Sequence, residues 1–195
     1  MGLGLRPRLD RTVGRRFFGT DPETYEAVRP GHPREVYEIL HNRCGVRAGS
    51  SVLEVGPGTG QATRRLLELG ASPLVAIEPD PALAAYLDAT LGDRIEVRVT
   101  ALEDAELEPD AYDLAAAASS FHWVEEDDGL ARLRDALHPG GWVALWWTSF
   151  GDETRPDPFR SAVDPLFVDV PHGPSGPPEE GSPSHARDVE RRLAA

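Results

Sequence analysis

Apolar and polar positions along the 195-residue chain follow a repeating pattern. Short apolar runs at 52–55, 74–77, 95–99, 112–117 and 142–147 alternate with stretches of helical character. Runs this short and this unbroken read as strands covered on both faces. Between them, helices are predicted over 60–69, ended by Gly70, over 81–91, and near 127–137. The last is expected to stop at "HPGG", because Pro139 and two glycines cannot continue a helix. Upstream, Asp21 as cap, Pro22 in first position and Glu23 in the first turn predict a helix start. A second helix is expected after Pro33, with Val36, Tyr37, Ile39 and Leu40 on its inner face. Strands alternating with helices imply a parallel sheet with helices on both sides, a doubly wound α/β fold.

The pattern divides the chain into three parts: a helical N-terminal segment, 1–45; an α/β domain, 46–150; and a Pro/Gly-rich segment, 151–195. The last 45 residues hold eight of the 18 prolines, and "PHGPSGPPEEGSPS" has the composition of a linker. Only the terminal "HARDVERRLAA" looks helical.

Charge narrows the functions. The net charge is −13, yet residues 1–34 carry seven arginines against four acids, so the rest sums to −16. An acidic body excludes a phosphate-backbone binder, which needs a cationic surface. No apolar run is long enough to span a membrane, and the N-terminus lacks the apolar core of a signal peptide. A single cysteine, Cys44, rules out an internal disulfide and fits a reducing cytoplasm. His32, His41, His138, His172 and His185 show no metal-ligand spacing, so no metal is expected.

The chemistry concentrates at "SVLEVGPGTGQATRRLLELG", residues 51–70. In open α/β sheets, ligands bind at the carboxyl ends of the strands, and this first strand-to-helix turn lies there. Gly56, Gly58 and Gly60 let the backbone turn sharply and approach a ligand without an intervening Cβ. Glu78 ends the next strand, 22 residues after Gly56, where a carboxylate can accept from both hydroxyls of a ribose. A dinucleotide motif, G-x-G-x-x-G, needs its third glycine at position 61, which is Gln61. The chain reads instead acid-x-G-x-G-x-G through Glu54, Gly56, Gly58 and Gly60.

That spacing resembles motif I of the class I S-adenosylmethionine-dependent methyltransferases. "VLEVGPGTG", "AIEPD", "YDLAAAASSFHWV" and "LHPGGWVAL" match successive blocks of the small-molecule members in order and spacing. "YEAVRPGHP" resembles the Y-x-x-x-R-P-x-Y-P segment of the subgroup with trans-aconitate and ubiquinone/menaquinone-type enzymes, with His32 where Tyr is common. The resemblance covers roughly residues 15–150 and implies S-adenosylmethionine as cofactor and a small-molecule methyl acceptor as partner. It implies that Gly56, Gly58 and Gly60 border the methionine part, that Glu54 orients it, and that Glu78 holds the ribose. Pro79 and Leu102 would flank the adenine, with Glu103 nearby. Tyr25 and Arg29 either close over the site, Arg29 toward the cofactor carboxylate, or merely pack and cap their helix.

Methyl transfer from a sulfonium needs alignment and exclusion of water, and a base only when the nucleophile must lose a tightly held proton. His122, after the fourth strand, is the candidate base; substrate contact and packing are its other readings. Trp123, Trp142, Trp146 and Trp147 are expected chiefly in the core, with Trp123 and Trp147 nearest the acceptor pocket. The family sheet normally continues with two more strands. Their lack here predicts either a shortened chain that binds cofactor poorly, or an exposed strand-five edge able to pair with a second copy.

Overall fold

The structure, a computed structural model, describes residues 9–16, 18–148 and 157–167. The expected linker and terminal helix lie outside the described residues. Five strands, β1 (Val52–Val55), β2 (Leu74–Ile77), β3 (Glu96–Arg98), β4 (Tyr112–Ala118) and β5 (Leu137–Trp146), form one parallel sheet in the order β3-β2-β1-β4-β5. Helices α4 (Gln61–Glu68), α5 (Pro81–Leu91) and α6 (Glu126–Ala136) connect successive strands, while α1 (Arg11–Arg15), α2 (Pro22–Val28) and α3 (Arg34–Asn42) precede β1. A short α7 (Pro158–Val163) follows the sheet. The order reverses between β1 and β4, so the crevice for a ligand opens where β1, β2 and β4 end.

Alternate strand residues feed two cores, one on each face of the sheet. Leu53, Val55, Val75, Ile77, Ala115 and Ala117 pack with Phe121 and Leu133 on the α6 side. Val52, Leu74, Ala76, Leu114 and Ala116 pack with Leu40, Leu66 and Leu87 on the other. Local chemistry starts the helices as the sequence leads one to expect. Asp21 Oδ1 accepts from Thr24 N at 3.0 Å with Pro22 opening α2, and Asp80 Oδ1 accepts from Ala82 N at 2.8 Å with Pro81 opening α5.

Four expectations need correction. Ile39 is 52% exposed. Tyr37 and Leu40, three apart, share the buried face of α3, and Ile39, two residues from Tyr37, falls on the opposite side. Strand five begins at Leu137 rather than at residue 142. Tyr112 pairs with Leu137 and Leu114 with Trp142, so "HPGG" is taken up as a bulge inside the strand, with Gly140 at φ +86°. That bulge leaves Trp142 at 45% exposed on the sheet edge, outside the core, whereas Trp146 and Trp147 pack against opposite cores. Nor is the third strand apolar throughout: Glu96 faces solvent at the opposite edge.

Candidate active site

The chain leaves β1 through three glycines, all with positive φ: +66° at Gly56, +59° at Gly58 and +88° at Gly60. A left-handed backbone favours glycine at each, but their surroundings differ. A Cβ on Gly56 would lie 2.5 Å from Ser120 Cβ, and one on Gly60 2.6 Å from Leu87 Cδ1. Around Gly58 it would meet nothing within 4 Å. Two of the glycines thus allow close packing inside the protein, and Gly58 is the one with open space before it.

Two buried carboxylates converge on this turn. Glu78 accepts from Gly58 N through Oε2 and from Asp80 N through Oε1, each at 3.0 Å. It thereby ties the end of β2 to the glycine turn. Burial pushes its carboxyl up to about 7, against the pull of those two amides, and Asp80 adds to the rise. Glu54, on β1, is 1% exposed, and neither of its oxygens has a hydrogen-bond partner. Burial raises it to about 7 as well; the neighbouring Thr63 hydroxyl opposes this and the charge of Glu78 reinforces it. A buried carboxylate with no donor is costly unless something else supplies one.

The N-terminal segment covers the turn. Gln61 Nε2, at the start of α4, donates to Arg29 O at 2.8 Å, and Arg64 pairs with Glu26 at 2.9 Å. These contacts seat α2 over the first turn of α4. The Arg29 guanidinium lies 5.3 Å from the centre of the Tyr25 ring, which also meets Phe18. Tyr25 is within electrostatic reach of Arg29 and Glu78, and burial holds its phenol above the ordinary range. Tyr25 of α2 and Arg29, which follows that helix, therefore lie beside the glycine turn.

The adenine-side candidates are placed differently from one another. Pro79 is half-buried directly after Glu78. Leu102 is 2% exposed, its side chain inside the α6-side core and its carbonyl accepting from Arg132 Nε at 2.9 Å. Glu103 pairs with Arg15 of α1 through Oε1, while its Oε2 is buried without a partner. His122 stands in a short 3-10 turn, Phe121–Trp123, beyond β4, its ring 4.8 Å from that of Trp123.

Several contacts that build the site escape sequence reasoning. Ser120 fills the space over Gly56, and its hydroxyl donates to Val55 O. Arg15 also donates to Trp123 O through Nε at 3.1 Å, and Trp147 reaches back to His122. Gly14 packs against the Trp123 ring. Each joins segments far apart in sequence, so spacing carries no signal for it. Among the described residues, no group of three or more His, Cys, Asp or Glu side chains is arranged to hold a metal, and no helix is long and apolar enough to cross a membrane.

Residues 52–141 match the family model described as a methyltransferase domain. The chain belongs to the class I S-adenosylmethionine-dependent methyltransferases. An uncharacterized methyltransferase of Schizosaccharomyces pombe is 30% identical over 132 residues, 68% of this chain and 52% of that protein. A trans-aconitate 2-methyltransferase of Mycobacterium tuberculosis is 32% identical over 132 residues, 64% of this chain and 47% of that one. The chain thus spans about half the length of these curated relatives. A solved S-adenosylmethionine-dependent methyltransferase from Aquifex aeolicus shares the fold, with a TM-score of 0.55 at 20% identity, over 75% of this chain and 86% of that one. The cofactor of this methyltransferase family is S-adenosylmethionine, and the residues fit it. Glu54 offers a buried carboxylate that lacks a donor, and Gly58 presents open space beside the Glu78 carboxylate.

Proposed function

We propose that this chain binds S-adenosylmethionine at the glycine turn and takes part in methyl transfer to a small-molecule acceptor. The observation that carries the reading is the Glu78 carboxylate bonded to Gly58 N at 3.0 Å, where Gly58, unlike Gly56 and Gly60, has open space in place of a Cβ. When bound, the cofactor supplies a methyl group on a sulfonium. The chain supplies the rest. Glu78 has lone pairs left to accept from ribose hydroxyls, and Glu54 provides the negative charge that orients the methionine end. Gly56 and Gly60 hold the turn's shape, and Gly58 lets the ligand approach. Arg29 meets the cofactor carboxylate, and Tyr25 beside it excludes water. Pro79, the backbone at Leu102 and the free oxygen of Glu103 border the adenine.

In this reading, segment 1–45 is a cap on the 46–150 domain. The name of the trans-aconitate relative supports a small-molecule acceptor. Cys44 as the one cysteine supports a reducing, cytoplasmic setting.

Thermal unfolding with S-adenosylhomocysteine or NADH added separately tests the reading. A ligand at about 100 times its Kd adds about 2.7 kcal/mol of stability. A rise in Tm with S-adenosylhomocysteine alone is expected; a rise with NADH alone would overturn the proposal.

A further inference from the structure

Trp147 Nε1 donates to His122 Nδ1 at 3.2 Å. An indole N–H is a donor only, so the ring nitrogen that receives it carries a lone pair and no proton. A neutral imidazole has one protonated and one bare nitrogen, which leaves the His122 proton on Nε2. We propose that Trp147 holds His122 as the neutral, Nε2-protonated tautomer, and that His122 serves the acceptor half of the site as a hydrogen-bond donor rather than as a base.

The proposal rests on the methyltransferase reading above and gives His122 a different part in it. A general base needs an uncommitted lone pair within reach of the proton it removes. In this arrangement the Nδ1 lone pair is taken by the indole, and Nε2 has none to offer. The surroundings agree with a neutral ring. The Trp123 ring lies tilted against the imidazole at 4.8 Å, and Arg29, at the C-terminal end of α2, is the charged group bearing on the imidazole. Burial first, and then Arg29, bring its pKa down to about 4. A donor at Nε2 suits an acceptor carrying an anionic oxygen. The nucleophile is then already deprotonated at neutral pH, as in a carboxylate or an enolate, and alignment is what the protein must supply. Trp147 acts through His122 and is a positioning residue.

The test is long-range proton–nitrogen NMR of the full chain labelled with nitrogen-15 histidine, between about pH 5 and pH 9. The His122 signals are assigned by their loss in His122→Asn, or in His122→Gln if the first variant does not fold. The expected result is an Nε2-protonated pattern that does not change over the range. In Trp147→Phe, the expected result is a mixture of tautomers and a pKa moved up toward the ordinary 6.5. An Nδ1-protonated ring, or titration of the unaltered protein near 6.5, overturns the proposal. Calorimetric binding of S-adenosylhomocysteine by the same samples separates the two readings. Binding together with an Nδ1-protonated His122 removes this proposal alone, and no binding with the Nε2 pattern intact removes the methyltransferase reading.

Discussion

The two halves of the site are built by different means. Around the β1–α4 turn, short-range devices dominate. Three left-handed glycines lie within five residues, the Asp80 cap sits two residues after Glu78, and the two carboxylates lie on β1 and directly after β2, strands buried on both faces. Around the ends of β4 and β5, the key contacts span the chain: Trp147 to His122, and Arg15 to the Trp123 carbonyl. The first half stores electrostatic cost in two buried acids. The second is half-exposed and ends at a sheet edge. The difference fits what each must do, since one cofactor calls for a fixed cradle, while an acceptor site is assembled from whatever segments the fold brings there.

Three perturbations break or sharpen this contrast. The largest effect is expected from Glu78→Ala in the cradle. Two hydrogen bonds to a charged group, at roughly 1.5–3 kcal/mol each, would be lost to the cofactor. Affinity for S-adenosylhomocysteine should therefore fall about 100-fold or more in calorimetry, and unaltered affinity would dismantle the cradle.

Next in size is the pH dependence of the ligand-free protein. With Glu54 and Glu78 raised from 4.5 to about 7, the native state holds protons that the unfolded chain has already lost. Stability should then fall as pH rises from about 4.5 to about 7 and flatten above, since the unfolded state binds fewer protons across that window. A rise of this size corresponds to roughly 3 kcal/mol for each group. Glu54→Gln should flatten part of that slope in denaturant titrations and stabilise the ligand-free protein at about pH 8. A slope as steep as that of the unaltered protein would show that Glu54 carries no such cost.

The smallest effects separate the glycines. Gly60→Ala places a Cβ against Leu87 and should cost about 2 kcal/mol of stability, part of it left-handed strain. Gly58→Ala has room, so only the strain, about 1 kcal/mol, should appear in unfolding, while cofactor affinity drops. Equal losses of stability in the two variants would contradict the division of labour.

Much of the cradle was legible from residue order. The strand runs at 52–55 and 74–77 appear where the pattern puts them, as does the helix at 81–91, because burial on both faces and an Asp-Pro start are local properties. The edge of the sheet was less legible. "HPGG" looks like a stop, but the β4 backbone offers pairing partners on both sides of it, and a bulge absorbs the four residues. Ile39 is apolar yet lies outside the core, because its angle on α3 and not its hydropathy sets the face it occupies.

What residue order determined by itself is the alternation of elements, most of their starts, and the glycine–acid spacing of the β1–α4 turn. These follow from turn conformations, caps and side-chain period, all of which act over a few residues. Only the tertiary structure decided that Gly58, rather than Gly56 or Gly60, faces open space, that Glu54 is left without a donor, and which nitrogen of His122 is occupied. Those facts depend on which distant side chain arrives within about 3 Å, and hydrogen-bond geometry is too short-ranged for sequence separation to encode it.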